Sequence, residues 1–316
     1  MYEGKRVALI IPAYNESKLI KPTLEHVPDV IDHIYVIDDA STDNMAEVVR
    51  ECAGKDTRIE LIRHDKNYGP GQGIITGYKA SREANYDITV VVGGDYQMPL
   101  DQVENFLKPL VNDEADYTKG NRFMMRGNAF EDMPKLRLFA NSLISLLTKI
   151  ASGLYKIFDV VDGYTAITKN AIDMVDWDKA WKGYGYPMDF LIRLSAYGLR
   201  VKDVPRRAIY REGERQSQIK GFKYAIKVSP MLFRGFVWRL IMKYVFRDFH
   251  PLIFFYVMGL TLFPLGILCG LFLIIDKILF GGEKVSGPLA VLAALLIITG
   301  LQSLLFAILF DSQESE

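Results

Sequence analysis

Val7-Ala8-Leu9-Ile10-Ile11-Pro12-Ala13-Tyr14-Asn15-Glu16 and, after it, Ile34-Tyr35-Val36-Ile37-Asp38-Asp39-Ala40-Ser41-Thr42-Asp43 decide the fold. Each is a short apolar run that stops at polar, turn-forming residues. Ile59–Ile62 and Ile88–Val92 repeat the pattern, with helix-forming stretches between the runs. Strands alternating with helices predict an α/β domain with a mostly parallel sheet covered by helices, here spanning residues 1–218. Ligands of such sheets sit beyond the carboxyl ends of the strands. The polar residues directly after each run are therefore the candidates for chemistry.

Working outward, the C-terminus changes character. Residues 253–275 and 289–310 contain no charge, and each is long enough to cross a hydrocarbon core that needs about 20 helical residues. Asp276–Pro288, with Gly281-Gly282 and Gly287-Pro288, reads as the connector of a transmembrane hairpin occupying residues 250–316. Both chain ends then lie on one side of the membrane. Residues 219–249 carry Lys220, Lys223, Lys227, Arg234, Arg239, Lys243 and Arg247 against the single acid Asp248, interleaved with aromatic and aliphatic residues. This pattern predicts basic amphipathic juxtamembrane helices lying on an anionic leaflet, in contact with membrane lipids. The positive-inside rule puts that cluster, the N-terminal domain and both termini on the cytoplasmic face of a two-span cell-membrane protein. The N-terminal apolar run is too short for a secretory signal.

Composition narrows the classes further. Thirty-eight Lys and Arg balance 38 Asp and Glu, so no bulk charge favours nucleic acid as a partner. Mean hydropathy is +0.09 although 24% of residues are charged, in keeping with apolar residues concentrated at one end. Cys52 and Cys269 are the only cysteines, which excludes a disulfide framework. His26, His33, His64 and His250 lack zinc-ligand spacing and read as structural or surface residues. Gly69–Gly77 lacks the Gly-Lys-Ser/Thr ending of a phosphate loop and reads as a turn or helix start that lets the backbone approach a ligand.

At the strand ends stand Pro12-Ala13-Tyr14-Asn15-Glu16, Asp38-Asp39-Ala40-Ser41-Thr42-Asp43 and Gly93-Gly94-Asp95-Tyr96-Gln97. Ser41 and Asp43 equally suit capping the next helix, and Gly93-Gly94-Asp95 equally suits a tight turn. The combination resembles the family 2 glycosyltransferases with a GT-A nucleotide-sugar-binding domain. The likeness continues through Asn67-Tyr68-Gly69, Lys119-Gly120-Asn121-Arg122 and Asp159-Val160-Val161-Asp162-Gly163-Tyr164. With the C-terminal hairpin, the chain resembles polyprenyl-phosphate glycosyltransferases of the dolichol-phosphate mannose synthase kind.

That resemblance implies an inverting transferase moving a sugar from a UDP- or GDP-sugar to a polyprenyl phosphate, dolichyl or undecaprenyl, with Mg²⁺ or Mn²⁺. It implies Pro12, Tyr14, Glu16, Asp38, Asp39, Asp95 and Arg211 for the nucleotide sugar, with Asp39 accepting from the base. It implies Asp95 and Gln97 for the metal, and Arg122, Arg137 and Asn141 for the acceptor phosphate. Asp162 stands first and Asp189 second as catalytic acid or base, and relatives anchored by such a hairpin assemble as homo-oligomers. One departure is Gly93, where the family usually has a first acid in Asp-x-Asp-x-Gln; a cation that also takes phosphate oxygens and waters tolerates fewer protein ligands. Arg211 and Arg215 also suit the start of the basic membrane-facing patch. Two other readings stay open: a sugar-hydroxyl acceptor with Asp189 as base, and a nucleotide-sugar-binding protein without turnover.

Overall fold

The computed structural model describes residues 1–124, 135–207, 209, 221–279, 281 and 287–314, with side chains described outside 135–141, 221–223 and 225. Along the chain the elements are β1 (Val7–Ala13), α1 (Ile20–Glu25), β2 (His33–Asp38), α2 (Met45–Ala53), β3 (Ile59–Arg63), α3 (Pro70–Glu83), β4 (Ile88–Val91), α4 (Val103–Val111) and β5 (Tyr117–Asn121). There follow α5 (Lys135–Ser152), β6 (Thr165–Thr168), α6 (Lys169–Met174), α7 (Tyr186–Ala196), β7 (Val201–Pro205), α8 (Gly221–Ile241), α9 (Leu252–Leu279) and α10 (Gly287–Gln313). They fall into two compact units, Met1–Arg239 and Leu240–Glu316.

In the first unit the sheet order is β3-β2-β1-β4-β6-β5-β7. β6 alone runs against its neighbours, pairing Val91 with Thr165 on one side and Lys119 with Thr165 on the other. The carboxyl ends of β1, β2, β4, β5 and β7 and the start of β6 therefore share one edge. The first apolar run is unbroken because both faces of β1 are covered: Val7, Leu9 and Ile11 join one core cluster, and Ala8 and Ile10 the other. The order reverses at β1, with β2 on one side and β4 on the other, which opens a crevice at that edge.

The glycines expected to approach a ligand instead let α3 approach protein. A Cβ on Gly73 would stand 3.0 Å from Pro12 Cβ, one on Gly77 2.6 Å from Ile10, and one on Gly71 2.4 Å from the Trp181 carbonyl oxygen. Gly69, with φ +97°, makes the turn into the helix.

α8 buries Val228, Met231, Leu232 and Phe236 and exposes Ile226, Lys227, Phe233 and Arg234, an apolar-and-basic outer face as the sequence implies. Arg239 departs from that pattern: it is fully buried, its Nε donating to Ala151 O at 2.8 Å and its Nη2 to Ile150 O at 3.2 Å. It closes the end of α5 and does not meet solvent.

In the second unit α9 and α10 are long and apolar enough to cross a membrane, each with a mean hydropathy of 2.4. They pack through small residues: Cβ atoms on Gly266 and Gly300 would fall 2.7 Å from Ile297 N and 2.4 Å from Phe263 N. The carboxylate of Asp311 is buried there, accepting hydrogen bonds from the hydroxyls of Tyr244 and Tyr256 at 2.5 and 3.2 Å.

Candidate active site

The polar loops gather where the strands end. Asn15 takes φ +57° after β1, and its Oδ1 accepts from Thr42 N at 2.8 Å while its own N–H donates to Ser41 Oγ. Asp43 accepts from Ser17 N and, within its own loop, from Met45 N. Ser41 and Asp43 thus stitch the loops after β1 and β2 together, beyond a local cap at α2. Pro12 and Glu16 are partly exposed on this edge, and Tyr14 is 42% exposed.

The paired acids divide the work. Asp38 is fully buried, its Oδ1 accepting from Ser41 N at 2.8 Å and its Oδ2 lying 3.2 Å from Arg63 Nε. This geometry makes it a brace for the loop. Asp39 Oδ1 accepts from Tyr68 N (2.9 Å) and lies 2.8 Å from His64 Nδ1, and Asp39 Oδ2 accepts from Gly69 N (2.7 Å). His64 Nε2 lies 2.9 Å from Thr76 Oγ1, so a proton on Nδ1 and a donating Thr76 hydroxyl satisfy the ring. Three donors leave Asp39 one lone-pair direction on Oδ2 for a ligand.

Asp95 lies across the end of β1 from Asp39. Asp39 N donates to Ala13 O at 3.0 Å, and a Cβ on Gly94 would stand 3.0 Å from Ala13 Cβ. Asp95 and Gln97 are both partly exposed on one turn, with Gln97 N donating to Asp95 Oδ1. At the position of the missing acid, a Cβ on Gly93 would lie 2.9 Å from Asp95 Oδ1, so a side chain there presses on the remaining carboxylate. Among the described residues no three His, Cys, Asp or Glu side chains converge as a metal cage. One carboxylate and one amide oxygen on a turn fit a hard divalent cation that keeps waters and substrate phosphates as its other ligands.

The same turn touches the segment before β6. Gly93 N donates to Met98 Sδ at 3.2 Å, and Met98 Cε lies 3.3 Å from where a Gly163 Cβ would be. Around that segment is a buried ionic cluster. Arg122 grips Asp159 with Nε to Oδ2 at 2.7 Å and Nη2 to Oδ1 at 3.0 Å, and its Nε lies 3.3 Å from Asp162 Oδ2. Asp162 Oδ2 also accepts from Arg206 Nε at 2.8 Å, its Oδ1 accepts from Tyr164 N, and its carbonyl accepts from Lys119 Nζ. Burial alone would raise the Asp159 carboxyl, but the Arg122 fork outweighs it and holds the pKa below the ordinary value. Lys119 shifts down because burial opposes its charge, against the pull of Asp162 and Asp159. Asp203, on β7, is pushed up by burial although Phe158 N and Asn121 Nδ2 donate to it.

Asp189 sits in the first turn of α7, its Oδ2 accepting from Trp181 N (2.8 Å) and Arg193 Nε (2.7 Å). The loop it holds reaches the start of α3, where Lys182 O accepts from Gln72 N. Arg137 and Asn141 belong to α5, but their side chains lie outside the described residues, as does Arg211. Sequence reasoning missed Arg206 and gave Lys119 no role. Arg206 directly follows β7, a strand in which only Val201 and Val204 are aliphatic, so no apolar run in the sequence marks its end.

Residues 8–175 match the family model described as Glycosyl transferase family 2. A UDP-N-acetylglucosamine–dolichyl-phosphate N-acetylglucosaminyltransferase of Methanococcus voltae is 29% identical over 221 residues, covering 66% of this chain and 87% of that one. An undecaprenyl-phosphate mannosyltransferase of Micrococcus luteus is 29% identical over 210 residues, covering 66% and 85%. Glucosyl-3-phosphoglycerate synthase of Mycobacterium tuberculosis, solved with Mn²⁺, UDP and glucosyl-3-phosphoglycerate, superposes with a TM-score of 0.53 at 17% identity, over 75% of this chain and 80% of that one. The GT-A-like fold expected from the sequence is the fold found.

Proposed function

We propose, from the premise that this chain belongs to glycosyl transferase family 2 and is a glycosyltransferase, that it moves a sugar from a UDP- or GDP-sugar to a polyprenyl phosphate at a membrane surface. The observation that carries this reading is the contact, through Met98, between the turn bearing Asp95 and the segment bound to Arg122 and Arg206. A turn whose carboxylate suits a cation-bound diphosphate thus adjoins an ionic cluster that holds two arginines suited to a second phosphate. The names of the relatives from Methanococcus voltae and Micrococcus luteus support the acceptor class.

In this mechanism an oxygen of the acceptor phosphate attacks the anomeric carbon, the bond from that carbon to the diphosphate oxygen breaks, and the nucleoside diphosphate leaves with the electron pair. A phosphate oxygen is already nucleophilic near neutral pH, so little general-base work is needed. Asp162, with both oxygens engaged, then serves to position Arg122 and Arg206, and Arg122, set by Asp159 and Asp162, keeps the acceptor-phosphate role the resemblance implies. Asp39 receives the base, with Pro12, Tyr14 and Glu16 around it and Asp38 bracing the loop. Arg211, Arg137 and Asn141 keep the roles the resemblance implies. Asp95 and Gln97 would hold Mg²⁺ or Mn²⁺, which as a Lewis acid offsets charge on the departing diphosphate. α9 and α10 form the anchor, residues 219–249 lie on the lipid surface, and the basic residues there put the catalytic unit and both termini in the cytoplasm.

Full-length protein in nanodiscs, given short-chain polyprenyl phosphate and labelled UDP- or GDP-sugars, is expected to yield an anionic lipid-phosphate sugar. Asp95→Ala should reduce turnover by at least about 100-fold, with membrane insertion unchanged. The hydroxyl-acceptor reading needs Asp189 as base, whereas that carboxylate already holds Trp181 N and Arg193. Asp189→Asn keeps an acceptor for Trp181 N, and a loss under about tenfold is expected if no base is needed. Abolished turnover in Asp189→Asn together with transfer only to sugar hydroxyls would replace the phosphate acceptor.

A further inference from the structure

Tyr186 opens α7, and neither the donor-side nor the acceptor-side residues above make use of it. Its ring packs edge-on against Phe190, with centroids 5.4 Å apart, and a Cβ on Gly71 would stand 2.8 Å from its Cβ. The ring is thereby held by Phe190, and the base of the side chain by the close approach of α3 at Gly71. Its hydroxyl reaches across to the segment carrying Asp162: a Cβ on Gly163 would lie 2.9 Å from Tyr186 Oη and 3.3 Å from Met98 Cε. Met98 is the residue whose sulfur holds the Gly93 N–H at the start of the Asp95 turn.

Among the described residues this hydroxyl makes no hydrogen bond, yet it is not sealed from solvent. Among the described residues, the buried side-chain polar atoms that make no hydrogen bond are Asp38 Oδ2, which has its ionic contact with Arg63, Asp203 Oδ1 and the hydroxyls of Tyr78 and Tyr164. Tyr186 itself is partly exposed. Burial, together with Tyr117, Asp162 and Asp95, pushes the phenol pKa up, so the group stays a proton donor throughout the neutral range. A rigidly held neutral donor with an open face therefore stands between the turn of the leaving diphosphate and the cluster of the attacking phosphate. The group that occupies that interval during transfer is the sugar.

We propose that Tyr186 Oη donates a hydrogen bond to an oxygen of the sugar being transferred, an assignment that rests on the donor and acceptor sides given above. Tyr186 then discriminates among donors by the sugar, not by the base. A sugar presenting oxygen at that point is retained, and one lacking it leaves the donor unpaired.

The test is calorimetric binding to full-length protein in nanodiscs, with UDP-glucose, UDP-N-acetylglucosamine and GDP-mannose as probes and UDP and GDP as controls. Tyr186→Phe keeps the ring contacts and is expected to weaken whichever nucleotide sugar binds by about tenfold, the worth of one hydrogen bond. Bare nucleoside diphosphate affinity and melting temperature should not move. Gly163→Ala, which displaces the hydroxyl while leaving the ring in place, should weaken the same nucleotide sugar. Equal nucleotide-sugar affinity in the parent and Tyr186→Phe would overturn the assignment alone, as would an equal loss for sugar-bearing and bare diphosphates. A parent chain that binds none of the three donors would overturn the donor-site reading and this assignment with it.

Discussion

Single side chains at the sheet edge show why residue type and burial must be read together. Asp203 keeps one buried oxygen without a partner, and burial raises its carboxyl pKa. A carboxyl whose folded pKa lies above its unfolded value contributes stability that is full below the unfolded pKa and lost as pH rises through the folded one. Ionised Asp203 is thus a liability at neutral pH. Asp203→Asn retains an acceptor for Phe158 N and Asn121 Nδ2, and should raise the melting temperature at pH 7 while leaving it unchanged at pH 3.5. An equal shift at both pH values would show that the charge is not the cause. Asp159 has the opposite sign: Arg122 holds it ionised, and its contribution is lost as pH falls through its depressed pKa. The place of the acids at 38 and 39, at the end of a strand on the edge where the polar loops gather, was legible in the sequence. Both are buried, and the partners that set them apart, Arg63 for Asp38 and His64 and Tyr68 for Asp39, are brought there by β3 and the turn after it.

Elements are joined by devices that local sequence conceals. α5 ends at Gly153, whose φ of +71° and N–H to Lys149 O close the last turn. The remaining carbonyls of Ile150 and Ala151 are met by Arg239 from α8, a cation at the negative end of a helix dipole. In the sequence Arg239 is one more base in a basic stretch; only α8 packing on α5 turns it inward. Arg239→Leu removes hydrogen bonds from a charged donor to buried carbonyls and should cost about 2 kcal/mol. Differential scanning calorimetry of the catalytic unit's transition is expected to show a fall of about 5 °C, and no fall would mean that water replaces the guanidinium. The glycines of α3 carry a similar lesson. They look like ligand-binding glycines in the sequence, yet Pro12, Ile10 and the Trp181 carbonyl occupy the space a side chain would need.

For the molecule as a whole, α9 and α10 pack on one another and are long and apolar enough to cross a membrane, and the proposed two-span anchor requires both chain ends on one side of the bilayer. Epitope tags at Met1 and Glu316 should therefore be equally accessible to protease in sealed vesicles. Unequal protection would break the two-span reading.

What the sequence by itself determined were the properties set by order along the chain. Apolar runs ending in Pro12, Asp38 and Gly93 specify strands and their polar ends, and uncharged runs of membrane length specify two helices able to cross a membrane, because hydrophobic burial reads periodicity and length directly. What only the tertiary structure decided is which charges neutralise one another. Lys119, Arg122, Asp159, Asp162 and Arg206 come from β5 and its end, the end of β7 and the segment before β6, and meet because β6 reverses direction between β4 and β5. Electrostatics in a dry interior depends on distances of a few ångströms between groups far apart in the chain, and no local pattern records them.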